Sequence, residues 1–487
     1  MINHKLIQIL KTFSKDEFSA FEKFADSPFH NGGRNYLPFI KELKKFYPDF
    51  TNKNLTREYI FSKINKGKET SESLVNTTIS RVLSMAEKYV EYIAFSKKGG
   101  GAKYDYIIEL LDRNLYEIAQ KELLGFSELV DFSSGITDEM IKWKMDYEIL
   151  NFQLSLRSNK SEDGLDSAIG STEYHIRFNI MRLAYFIHCL RANKLMFNAK
   201  YDNSIIVKYL ESQNLKIFYE HLKENAEKNE FNEITLIYVL WILALTDSGN
   251  GNYFTEMKEL VFKNIEKFHH HEKYNLFQAL EAICWIMSQE VNREKFDMEM
   301  YDISRKRFDF KILSPDDKYM RIIMYRSLLT VFLYRDDWEH INNFINTCIP
   351  MLPEEHRENM YNFTMAQVNF TKKQFGEALE YSSKINFEMF AFKLDTRLLQ
   401  LKTYYELNYF DEAYSLVDAH KHFISNNETV SEYYNEMHTN FLKFYTRILK
   451  LKAEGRKPED GKLLGTIEAT NNVPAKQFLV EKVKELG

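Results

Sequence analysis

The stretch "KKQFGEALEYSS", residues 372–383, sets Phe375, Ala378 and Tyr381 three residues apart between two apolar runs. Recurrence at three and four residues places side chains on one face of a helix rather than on alternate faces of a strand. The same arrangement stands on either side of it. "YRDDWEHINNFI" holds Trp338 and Ile341, "ELNYFDEAYSLV" holds Phe410 and Ala413, and the leading aromatics lie 37 and 35 residues apart. A pattern that returns at this period marks a repeated unit, so the stretch reads as one copy of the element from which much of the chain is built.

Each copy is preceded by an apolar run of helical period: "RIIMYRSLLTVFLY", "MYNFTMAQVNFT" and "TRLLQLKTYYEL". A helix, a polar turn and a second helix at this spacing resemble the tetratricopeptide repeat. In that pattern the turn aromatic matches Trp338, Phe375 and Phe410, and the residue that lets the second helix approach the first matches Ile341, Ala378 and Ala413. The small residue of the first helix matches Ala366, with Leu329 and Leu401 in its place in the neighbouring copies. The later aromatic matches Phe332 and Tyr404, and the closing proline matches Pro353 alone. The copies are therefore degenerate.

The resemblance implies stacked hairpins with a concave groove lined by the first helices, a surface suited to a protein or peptide partner. Carried over position by position, the groove residues are Arg326, Thr330 and Tyr334, then Phe363, Gln367 and Phe370, then Lys402 and Tyr405. For Phe363 and Phe370, packing between helices is the alternative.

The resemblance is clearest over residues 321–424. "LLDRNLYEIAQKEL", with Tyr116 and Ala119, looks like an isolated copy, and Phe254, Phe296 and Trp338 follow one another at 42 residues in longer hairpins. After Ser431 a long helix, a turn at "EGRKPEDG" and a last helix after Pro474 close the chain with a polar cap, "EKVKELG".

Composition agrees with helices. Aromatics make up 15 % of 487 residues, but 17 Gly and 8 Pro are too few for the frequent tight turns of a sandwich or barrel. The expected fold is all-α, a helical domain over 1–98 followed by an α-solenoid over 102–487. The boundary is set at Gly99, Gly100 and Gly101, each costing a helix interior about 1 kcal/mol relative to Ala. Cys189, Cys284 and Cys348 form no CxxC pair, Lys5, Lys11 and Lys15 interrupt the N-terminal apolar run, and no run of eighteen apolar residues occurs. These features predict a soluble cytoplasmic protein with no membrane span.

The first hundred residues carry 17 Lys and Arg against 11 Asp and Glu, leaving 48 against 59 for the rest. Within them Ser14 and Glu17 form a capping box, and further helices are expected over 35–47, from Thr56, and from Ser71 to Phe95. "LTREYIFSKINKGKETSESLVNTTISRVLSMAEKY" loosely resembles the recognition unit of winged-helix activators. That resemblance implies a nucleic-acid-binding regulator contacting its target through Asn76, Thr77, Thr78 and Arg81. No strand pair for a wing accompanies it, and the basic excess is small for a nucleic-acid surface.

No constellation for catalysis emerges, so neither an enzyme, a metal nor a cofactor is expected. His269, His270 and His271 are consecutive, which points them about 100° apart on a helix where a zinc site needs ligands three or four apart. "EGRKPEDGKLL" has five residues between its glycines and Leu463 where a phosphate loop has Ser or Thr, and "SGNGNYF" lacks the third glycine of a dinucleotide fingerprint. His188 is adjacent to Cys189, too close in sequence for a dyad across a cleft.

Overall fold

The computed structural model describes residues 4–64, 71–97, 99–130, 135–197, 204–247, 249–316, 318–335, 337–426, 431–458 and 461–487. Among these the chain is all-helical, without a strand; Ile136 and Phe268 form an isolated bridge. It divides into two compact units, residues 1–130 with 146–168, and residues 131–145 with 169–487.

The first unit contains α1 (Lys5–Lys11), α2 (Lys15–Asp26), α3 (Pro28–Asn31), α4 (Leu37–Lys44), α5 (Arg57–Ile64), α6 (Glu72–Ser96), α7 (Gly100–Asp112) and α8 (Tyr116–Leu129). Parts of α9 (Asp138–Arg157) and α10 (Leu165–Phe197) complete it. Ser14 and Glu17 form the expected capping box: Glu17 N donates to Ser14 Oγ at 3.1 Å and Ser14 N to Glu17 Oε2 at 2.9 Å. Ser71 likewise caps α6, its hydroxyl accepting from Leu74 N at 3.3 Å. Phe13, Phe18, Phe21 and Tyr89 interlock, mostly edge to face, at centroid separations of 5.5 to 6.4 Å, so the turn after α1, α2 and α6 share an aromatic core that Leu6, Ile7 and Leu10 of α1 join. The glycine run expected at a domain boundary lies inside this unit. Gly99, at φ 52, precedes α7, and Gly100 and Gly101 form its first turn, where a helix tolerates glycine better than in its interior.

The second unit continues with α11 (Ile205–Ser212), α12 (Leu215–Glu224), α13 (Glu230–Thr246), α14 (Gly251–Asn264), α15 (His270–Glu290) and α16 (Arg293–Asp309). Then follow α17 (Ile322–Tyr334), α18 (Trp338–Cys348), α19 (Glu354–Thr371), α20 (Phe375–Ser383), α21 (Phe390–Leu407), α22 (Phe410–Ser425), α23 (Glu432–Ala453), α24 (Lys462–Ala469) and α25 (Lys476–Leu486). Helix α13, "EFNEITLIYVLWILALT", is buried on all sides, as an unbroken apolar run requires. Gly135, at φ +96, is obligatory: a Cβ there would lie 2.4 Å from His269 N, where Ile136 and Phe268 pair.

Trp338, Phe375 and Phe410 each open the second helix of a hairpin, and Ile341, Ala378 and Ala413 are fully buried. Helix α17 packs on α18, α19 on α20 and α21 on α22, while α17, α19 and α21 also pack on one another in order. Lys372, in the turn after α19, lies 4.8 Å from the centroid of the Trp338 ring that opens α18. Tyr381 meets Tyr361 of its own hairpin at 6.3 Å.

Candidate functional site

The inner helices α17, α19 and α21 line one side of a cavity of about 1020 Å³ in the second unit, and α25 lines the other. Seven of the eight groove positions predicted from the repeat pattern come together there: Arg326, Thr330, Tyr334, Phe363, Gln367, Phe370 and Lys402. Tyr334 is open, at 55 % exposure; Phe363, at 1 %, is wall rather than contact surface, packed on Phe392 at 5.3 Å and Phe387 at 6.4 Å. The Thr330 hydroxyl is turned back onto Arg326 O at 2.9 Å.

The eighth position, Tyr405, is not on the cavity surface. It is 2 % exposed beneath α25, 5.8 Å from Phe478 and 6.3 Å from Tyr445, and Lys452 lies 4.1 Å over its ring while donating to its carbonyl at 2.6 Å. The final helix covers this residue.

The cavity's charges are largely paired with each other. Arg326 forks onto Asp395, one hydrogen bond being Nη2 to Oδ1 at 2.8 Å. Lys482, 6 % exposed on α25, bridges Glu406 at 2.7 Å and Glu485 at 2.8 Å. Lys402 differs. Its ammonium lies 4.4 Å from the Phe370 centroid, and among the described residues it makes no hydrogen bond or ion pair. Burial pulls it down to about 8, against the pull of Asp395 upward.

The contribution of α25 was not predicted. Phe478, Lys482 and Glu485 fall on its cavity side, and Leu479 and Val483 on the side that packs into the core with α23. The amphipathic spacing in "KQFLVEKVKEL" was the available signal.

The remaining sequence candidates take structural roles. His269 caps α15 through Nδ1, accepting from His271 N at 3.3 Å; His270 Nε2 meets Ser314 O at 2.7 Å, and His271 Nδ1 meets Pro315 O at 3.3 Å. Among the described residues no group of three or more His, Cys, Asp or Glu is placed to hold a metal ion. Burial pushes the Cys348 thiol up to about 12 and the Cys284 thiol well above its usual range, which removes the thiolate a nucleophile needs. Gly461 precedes α24, and the two residues before it in "EGRKPEDG" lie outside the described residues.

In the first unit Asn76, Thr77 and Arg81 are exposed on α6 and Thr78 is half-buried, with Asn76 accepting from Arg57 Nη1 at 2.9 Å. Part of the loop between α5 and α6 lies outside the described residues. No described helix is long and apolar enough to cross a membrane. In comparisons with known proteins, no family model, no curated protein and no solved structure matches the chain.

Proposed function

We propose that residues 322–486 form a degenerate tetratricopeptide-like stack that acts as a non-enzymatic scaffold, its concave face binding a segment of a partner protein. The observation that carries this reading is the cavity of about 1020 Å³, to which three successive inner helices contribute equivalent positions. Its size is at the upper end of small-ligand pockets, and its half-buried aromatic and aliphatic wall suits anchoring side chains. Of the carboxylates that line the cavity, Asp395 is held by Arg326, and Glu406 and Glu485 by Lys482.

A photo-crosslinking residue at Gln367 or Tyr334, inside the cavity, compared with one at Glu380 on the outer helix, tests the reading in the native cell. Defined protein adducts are expected from the two inner positions and not from the outer one. Equal yields from all three, or none, would overturn it.

A further inference from the structure

Lys402 is a half-buried cation of the cavity that, like the exposed Lys373, makes no hydrogen bond or ion pair among the described residues. The acids on its own helix are taken, Asp395 by the Arg326 fork and Glu406 by Lys482 at 2.7 Å. Its remaining contact is the face of Phe370, 4.4 Å from ammonium to centroid, which returns about 0.5–2 kcal/mol and leaves its donors unused. A partly buried ammonium without an acceptor carries an uncompensated desolvation cost. A carboxylate brought into the cavity would relieve it.

Six half-buried apolar side chains line the same cavity: Leu333, Phe370, Phe375, Leu398, Phe478 and Val480. Across from Lys402, α25 presents Lys476, Glu481, Lys482 and Glu485, with Arg293 from α16, Lys373 from the turn after α19 and Glu468 from α24. Lys482 is consumed by its two glutamates, and Arg293 reaches Asp297 at 3.6 Å. The glutamates on the wall oppose a phosphodiester chain, whereas one carboxylate flanked by apolar groups meets both the free ammonium and the aromatic wall.

We propose that the partner segment is acidic, with an Asp or Glu carboxylate seated on the Lys402 ammonium and its apolar neighbours against Phe370 and Phe478. The inference rests on the scaffold reading above and names the class of ligand. It has a proton-linked signature. The free ammonium titrates near 8, and a bound carboxylate holds it charged to higher pH. Affinity is therefore full between about pH 6, where an Asp or Glu carboxylate is ionised, and about pH 8, and declines above that by at most about tenfold per pH unit until the pKa of the bound state is reached.

The test is selection of a displayed random-peptide library on the full-length protein, followed by fluorescence anisotropy with the enriched peptides synthesised, end-blocked and labelled. Enriched sequences should carry Asp or Glu beside an aromatic or aliphatic residue. Replacing that acid by its amide should weaken binding about tenfold or more, a comparison that leaves the protein unaltered. Lys402→Gln should abolish the preference for the acid over the amide, while Lys402→Arg should keep it and flatten the decline above pH 8. Equal binding of acid and amide peptides, or an unchanged preference in Lys402→Gln, overturns the inference while leaving the scaffold reading intact. A library that yields no peptide competing for the cavity overturns both.

Discussion

The guanidinium of Arg326 on α17 and the carboxylate of Asp395 on α21 grip each other through two hydrogen bonds, one of 2.8 Å, although 69 residues separate them in the chain. The pair joins the first and third inner helices directly, and Tyr434 and His438 of α23 lie in its field. Arg326, which the repeat pattern assigns to partner contact, is thus committed to pairing with Asp395 in the cavity wall.

Removing one member of this pair leaves the other charge poorly solvated. About 3–5 kcal/mol is typical for a fully buried pair; the side chains here are 25 % and 20 % exposed, so Asp395→Ala should cost about 2–4 kcal/mol. Replacing both residues together by Met and Leu should restore most of that loss. Denaturant unfolding of the single and double variants measures the coupling, and additive effects would show that the pair contributes no cohesion.

A buried histidine pair close to this ion pair makes stability depend on pH. His420 Nε2 and His438 Nδ1 are 3.1 Å apart, and His420 Nδ1 has no partner, so the proton belongs on Nε2 of His420, which donates to His438. Burial, with the His438 ring and Arg397 adding to it, pulls His420 down to about 3; burial pulls His438 to about 4 against Asp395. Both are depressed below 6.5, so the unfolded state takes up protons that the folded state refuses. The stabilisation is complete above pH 6.5 and is lost as pH falls toward about 4, by at most about 1.4 kcal/mol per pH unit for each ring. Urea unfolding at about pH 7 and pH 5 should show the decline, and a His420→Gln, His438→Gln double variant should show a shallower one; parallel slopes would exclude the pair as its source.

What the sequence made legible is local. The aromatic that opens each outer helix and the buried residue three positions later follow from helical period and turn chemistry, and Trp338, Phe375 and Phe410 begin helices as expected. The register that faces the cavity was also readable for Phe370 and Lys402. Long-range cover was not. Nothing near Tyr405 announces that Phe478, more than seventy residues later, will lie on it, and nothing near Arg326 announces Asp395. The glycine run was not readable for a similar reason: glycine is costly inside a helix but less so at its first turn, and only the fold decides which applies to Gly100.

The capping box at the start of α2 offers a test confined to the first unit. Ser14 Oγ and Glu17 satisfy two backbone donors reciprocally, and Ser14→Ala removes one arm and weakens the other. A loss of about 1 kcal/mol is expected, read by hydrogen exchange at the amides of residue 14 and Glu17, the two donors of the box, which should quicken in the variant while those of α25 are unchanged.

Ala378 is a residue of the central hairpin. It lies on α20, one turn after Phe375, and Phe375 meets Phe370 of α19 at 5.5 Å. Its methyl group is fully buried, so three added carbon atoms must displace neighbouring side chains or force strained rotamers. Ala378→Leu should cost about 1–3 kcal/mol. Because α19 and α20 form the middle hairpin, the displacement should also loosen Phe370 over Lys402 and raise the lysine's titration toward its ordinary range as water enters. A thermal melt measures the first effect and the ε-methylene carbon shift of Lys402 against pH the second. An unaltered melt would mean that α20 does not pack on α19 through this residue.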